Sequence, residues 1–366
     1  MRGACAILVA ATALCAVGAR AAEPETYRIS GPVVHENLAI YFVHGPSAPG
    51  PVPLTLQEAL ANGSVEVRET GSVNQLEVEN RGDAEVFIQS GDIVKGGRQD
   101  RVLTVSLVVP PHSGPMPIAS FCVEQGRWSG RGKEDVRRFL TASTSVPSRE
   151  AKIAMKAPVA PPPAAGLTPG ATGPAAARSN PAYLSSLEVG HRQQEMWNNV
   201  ASVQNKLARS LAEPVAAPES RSSLQLSLEN EKLKEAQAAY VKALEPAGGA
   251  ADDIIGYVFA INGKINSADI YPSNGLFRKM WPKLLAANAV EAIGDKAAAG
   301  AAPPANADVL AFLKAAEAGK AVEQPLTKTI KLETREATGA LFFESRRVPA
   351  SPSADAGWVH RNYLAK

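Results

Sequence analysis

The side chains best suited to chemistry lie in two short stretches. The first, Gly91-Asp92-Ile93-Val94-Lys95-Gly96-Gly97-Arg98-Gln99-Asp100-Arg101, falls between two apolar runs. Its three glycines allow positive φ, and with it a backbone that turns amides toward an anion. Lys95, Arg98 and Arg101 add charge beside them. A phosphate-loop reading fails, because Gly96 is followed by Gly97 and Arg98 where that motif needs Lys and then Ser or Thr. The second stretch is Cys122-Val123-Glu124-Gln125-Gly126-Arg127-Trp128. Arg127 is suited to bidentate pairing with a carboxylate or phosphate, and Trp128 to stacking on a ring. Asp100 and Glu124 are the candidate acid/base pair if the sheet brings them together, with Arg101 and Arg127 placed to stabilise developing negative charge. The competing reading is purely structural: glycines between strands make turns, and Asp100 and Glu124 pair with the arginines under an anchoring Trp128. A functional site predicts a concave pocket with two carboxylates and an arginine that has few other partners. The structural reading predicts saturated arginines and a packed Trp128. Gln99 suits either.

Other nucleophile and metal readings find less support. Cys122 sits among Ile118, Phe121 and Val123 and reads as a buried, inert thiol. His35, His44, His112, His191 and His360 stand in no metal-ligand spacing with one another or with the cysteine. His191 and Glu195 share a helix face one turn apart, as a solvated pair would. There is no Gly-x-Ser-x-Gly elbow to mark a serine nucleophile. The sequence names no cofactor.

These stretches need elements to hold them. From residue 27 to about 122 the pattern is β: strands at 37–43, 65–67, 76–78 and 85–89, a single central strand over 102–109 that is apolar on both faces, and another at 119–123. A short helix covers 54–60, and residues 133–140 read as a second, with Val136, Phe139 and Leu140 on one side. Beyond an Ala/Pro/Gly stretch at 157–177, helices follow at 183–211 and 228–244. Residues 254–261 and 264–270 flank Asn262-Gly263, a strong hairpin signal. A helix carrying Phe277, Met280 and Trp281 comes next, those three as core, then one over 308–318, closing strands at 327–333 and 340–348, and a packed tail at 358–364. The expected fold is α+β, a mostly antiparallel β-rich front packed with a helical second half. It reads as one domain over 22–366 with low-complexity insertions at 151–182 and 294–306, because neither half alone forms a closed fold.

The N-terminus has an export pattern: Arg2, an apolar run from Ala4 to Val17, and small residues around Ala19-Arg20-Ala21. A cleaved signal peptide over 1–21 places the chain in the periplasm or outside the cell. The formal charge of +2 then loses Arg2 and Arg20 and falls to about zero, which argues against nucleic acid as a partner. Cys5 and Cys15 leave as well, so Cys122 has no intramolecular disulfide partner. No later segment is long and apolar enough to span a bilayer.

With these motifs in view, the chain resembles the ADP-ribosylglycohydrolase- and rhodanese-phosphatase-associated protein domain family. The resemblance rests on Gly96-Gly97-Arg98-Gln99-Asp100-Arg101 and Cys122-Val123-Glu124-Gln125-Gly126-Arg127-Trp128. It continues through Gln194, Trp197, Phe277-Arg278-Lys279-Met280-Trp281 and His360-Arg361-Asn362-Tyr363-Leu364. It spans residues 30–366 between insertions, and implies an ADP-ribose-like or phosphate ligand class without implying a reaction. The resulting expectation is an exported binding module for an anionic, phosphate- or sugar-containing ligand or an envelope partner. The ligand contacts would be Gly96, Gly97, Arg98, Gln99, Arg101, Arg127 and Trp128. The alternative is a hydrolase acting on a ribose- or phosphate-containing substrate through Asp100 or Glu124.

Overall fold

The computed structural model describes residues 27–132, 134–156, 181–296, 301–349 and 357–366. The export segment read at 1–21 and the Ala/Pro-rich stretch at 157–177 lie outside them.

Three sheets and a buried helix make the fold α+β. The largest sheet has eight antiparallel strands in the order β1 (Arg28–His35), β2 (Leu38–His44), β12 (Ile254–Ile261), β13 (Lys264–Ile270), β17 (Trp358–Ala365), β16 (Ala340–Arg347), β15 (Ile330–Glu336) and β14 (Lys320–Pro325). The chain's second strand thus pairs with a strand from its last third, and β1 forms the edge beside it. A six-stranded antiparallel sheet runs β11 (Phe139–Ser145), β7 (Asp92–Gly96), β8 (Arg101–Leu103), β10 (Gly114–Cys122), β5 (Gln75–Asn80) and β4 (Val65–Glu69). A small third sheet joins β3 (Leu54–Thr55), β6 (Val86–Ile88) and β9 (Leu107–Val109).

Sequence pattern explains the central strands. In β2 every residue is buried, so no polar/apolar alternation shows, but successive side chains still point to opposite faces. Leu38, Ile40 and Phe42 join the main core, while Ala39, Tyr41 and Val43 join a second cluster with Val309, Leu313 and Ala316 of α7 (Asn306–Glu317). The main-core face packs on α6 (Asn274–Gly294), a helix apolar nearly all round, as a helix enclosed on every side must be. Phe277, Met280 and Trp281 are indeed core. Ser273 caps α6 by accepting the Leu276 amide. Asn262 and Gly263 both take positive φ at the β12–β13 turn, as an Asn-Gly hairpin requires. The helices α3 (Pro181–Leu211) and α5 (Glu231–Leu244) flank α6.

Two expectations change. Residues 133–140 do not form a helix: Val136 and Arg137 lie in a turn, and Phe139 begins β11, whose pairing with β7 outweighs the local apolar spacing. The single strand expected over 102–109 is two. β8 ends at Leu103 in the six-stranded sheet, β9 begins at Leu107 in the small sheet, and Thr104, Val105 and Ser106 cross between them. The tail at 358–364 is a full sheet member, and the edge strand β14, exposed throughout, carries too few apolar residues to have been read. No helix among the described residues is long and apolar enough to cross a membrane.

Candidate functional site

The two motif stretches do meet. Gly96 and Gly97 both hold positive φ, and a Cβ on Gly97 would stand 2.3 Å from the Phe139 ring, so this turn needs glycine twice over. The turn aims Asp100 at the end of β10, where Glu124 follows Cys122. Both carboxylates are wholly buried.

Each is heavily bonded. Asp100 accepts Arg131 through both oxygens at 2.7 and 2.8 Å, the Gly96 amide at 2.9 Å and the Ser223 hydroxyl at 2.8 Å. Glu124 accepts Arg127 Nε at 2.7 Å, the Asp100 amide at 3.1 Å and the Ser220 hydroxyl. Burial alone would raise the Glu124 carboxyl, but the hydrogen bonds from Arg127 and Ser220 outweigh it and hold the group below its ordinary value. Arg127 spends its remaining donors on the carbonyls of Gly96, Gly97 and Ser129. Arg101 is fully buried and reaches the Gln99 carbonyl and side chain, with Glu69 at 3.5 Å. Arg127 is therefore saturated, whereas the buried Nε of Arg101 has no hydrogen-bond partner among the described residues. Trp128, by contrast, is 44% exposed, with the Arg98 and Arg101 guanidinium carbons 5.4 and 5.6 Å from its ring centre. Arg131, Ser220 and Ser223 belong to this network without having been read from the sequence, since nothing in their local pattern marks them.

Cys122 is buried, and burial pushes its thiol up to about 11, which suits an inert residue. No group of three or more His, Cys, Asp or Glu among the described residues is arranged to hold a metal.

A concavity lies elsewhere in the fold. A cavity of about 310 Å³ opens between the six-stranded sheet and the β14–β17 end of the large sheet, walled also by α3 and α2 (Arg149–Lys156). Its polar lining includes Ser90, Ser106, Ser120, Ser345 and His360, with Lys156 and Arg192 as its cations. None of the described lining residues is Asp or Glu. Ser120 Oγ and Asn74 Nδ2 find no hydrogen-bond partner in the protein, which is uncommon for buried polar groups away from binding sites.

Behind His360 stands a connected buried network. His360 Nδ1 lies 3.0 Å from Ser106 Oγ, and its Nε2 lies 3.1 Å from Asp269 Oδ1, a close contact that falls short of good hydrogen-bond geometry. Asp269 also accepts Tyr257 OH at 2.9 Å, Asn362 Nδ2 at 2.9 Å and Gln89 Nε2 at 3.3 Å. Burial would raise this carboxyl; the close His360 contact and the positive charges of Lys152 and Lys156 hold it at about 2 instead. Burial lowers the His360 pKa, opposed by Asp269, so the ring is neutral at neutral pH. Lys156 donates to Asn362 Oδ1 at 2.6 Å and sits 4.9 Å over the Phe343 ring. Burial pulls its ammonium down to about 7, against the attraction of Asp269.

No curated protein and no solved structure matches the chain. A family model does match, over residues 26–363 and so over nearly all the described elements, and by that match the chain belongs to the ARG and Rhodanese-Phosphatase-superfamily-associated Protein domain family.

Proposed function

We propose that this chain is a binding protein for a small anionic, hydroxyl-bearing ligand, held in the cavity between the sheets. The carrying observation is the lining: Lys156 and Arg192 with several hydroxyls, and no carboxylate among its described residues. The unpartnered Ser120 Oγ and Asn74 Nδ2 add donors that a ligand would satisfy. At about 310 Å³ the cavity is at the small end for such sites, which run from about 300 to 1,000 Å³. In this reading the front motifs serve the binding fold. Gly96, Gly97, Gln99, Asp100, Arg101, Glu124 and Arg127 lock the loops on which β8 and β10 end, while Arg98 and Trp128 remain at the surface. The export pattern at 1–21 puts the binding in the periplasm or outside the cell. Mass spectrometry of the exported protein is then expected to find a mature N-terminus near Ala22; retention of Met1 in an exported form would count against it.

The ligand class is testable through Lys156. Its ammonium is charged below about 7 and progressively neutral above, while burial holds the His360 pKa below its ordinary value. A hexose 6-sulfate, whose charge is constant over this range, is therefore expected to bind by calorimetry at pH 6. Its affinity should fall by up to about tenfold per pH unit above neutrality, as one linked proton requires. Lys156→Met should weaken binding and flatten the pH profile. No heat from any sugar sulfate or sugar phosphate at pH 6 would remove this reading.

A further inference from the structure

The chain Ser106–His360–Asp269 has the composition of a nucleophile, a base and an orienting acid, and it opens onto the same cavity. Ser106 lies in the short crossing between β8 and β9. Its carbonyl accepts Ser345 Oγ at 2.6 Å, and its Oγ accepts the Ser90 amide at 3.0 Å. The first contact holds the backbone at Ser106, and the second fixes the hydroxyl and stabilises negative charge on it. The order of the ring nitrogens follows from the contacts. Asp269 faces Nε2, so the proton resides there and Nδ1 is left as the acceptor for Ser106.

We propose that the protein hydrolyses a carboxylic ester carried by an anionic small molecule, with Ser106 as nucleophile and His360 as general base; the anionic part of this rests on the binding reading above. Ser106 Oγ attacks the ester carbonyl and passes its proton to His360 Nδ1. The C–O bond to the alcohol breaks, and the alcohol leaves with the proton from His360. Water then attacks the acyl-serine and gives a proton to His360, and release of the acid returns it to Ser106. Ester and water become acid and alcohol, with no change of oxidation state. Asp269 steadies the imidazolium that forms in each half. Ser120 Oγ and Lys156 are the donors the cavity offers to the carbonyl oxygen.

The test is labelling of the full folded chain with diisopropyl fluorophosphate, where Ser106 displaces fluoride from phosphorus. Intact mass should show one adduct, and peptide mapping of the wild-type protein should place it on Ser106. His360→Gln should slow labelling by about a hundredfold or more. Asp269→Asn should slow it as well; an unchanged labelling rate would remove Asp269 from the relay. An unlabelled protein that still binds the sulfate, or an adduct on a different serine, overturns Ser106 as nucleophile and leaves the binding reading intact. Labelling on Ser106 without sulfate binding keeps the nucleophile and overturns the anionic ligand.

Discussion

Replacing Arg131 by alanine is expected to cost about 3–5 kcal/mol of folding stability, the loss typical of a buried charge stripped of its partner. Arg131 is one-tenth exposed and makes two short bonds to Asp100, two longer ones to Glu134, and a contact of 3.6 Å with Glu124. Without it, Asp100 keeps only the Gly96 amide, the Ser223 hydroxyl and Arg127 at 3.7 Å. Urea unfolding measures the effect, with Arg138→Ala as the control. Arg138 pairs with Glu66 at 3.1 Å but is largely exposed, so its loss should cost about 0–1 kcal/mol. Arg131→Lys should recover only part of the loss, because a point charge cannot reproduce the forked contact with both oxygens of Asp100. Hexose 6-sulfate affinity should be unmoved in the folded variant, since Arg131 does not line the cavity. A cost as small as that of Arg138→Ala would mean that water already solvates the network.

The same network sets a direction for pH. Glu124 is held below its ordinary value in the folded chain. It binds fewer protons folded than unfolded, so its contribution is present above the ordinary carboxylate range and is lost as pH falls through the folded value.

Much of this architecture was legible because it is local. The hairpin of β12 and β13 announces itself through Asn262-Gly263, and Phe277, Met280 and Trp281 read as the apolar face of an amphipathic helix, although α6 is buried over most of its surface. Asp100 and Glu124 could be named as candidates, but whether the sheet brings them together was left open by the sequence. What those carboxylates bond to was not legible. Arg131, Ser220 and Ser223 reach them from segments whose local sequence is ordinary. The cavity was harder still. Ser106, Asp269, Lys156 and His360 come from four elements spread over more than two-thirds of the chain, and no spacing rule connects them. The absence of a Gly-x-Ser-x-Gly elbow bears on one scaffold for a serine and says nothing about a serine in a crossing between sheets. That crossing was itself hidden, because residues 102–109 are apolar on both faces whether they form one strand or two. A faint signal did exist. Asp269 is an acid inside a strand that pairs with the apolar β12, and burying a carboxylate there demands partners.

Those partners form a polar layer between the sheets, and its other end supplies the second large effect. Lys283, on the enclosed helix α6, donates to Asp92 of β7 at 2.7 Å, and both side chains are less than one-tenth exposed. Asp92 also accepts the Gln89 amide at 3.0 Å, and Gln89 in turn contacts Asp269 and Tyr271. The pair therefore ties the helix to the six-stranded sheet and holds the residue that supports the cavity network. Lys283→Met keeps most of the buried volume but leaves Asp92 without its counter-charge, so a loss of about 3–5 kcal/mol is expected. Adding Asp92→Asn should restore most of it: the amide oxygen still accepts from Gln89, and no charge is left buried. The measurement is a double-mutant cycle by urea unfolding. A double variant as unstable as Lys283→Met alone would show that the ammonium was worth more than its charge partner, as a spacer or donor to groups other than Asp92. Recovery of stability with weakened hexose 6-sulfate binding would show instead that the ion pair's main service is to position Gln89 and, through it, Asp269 and His360.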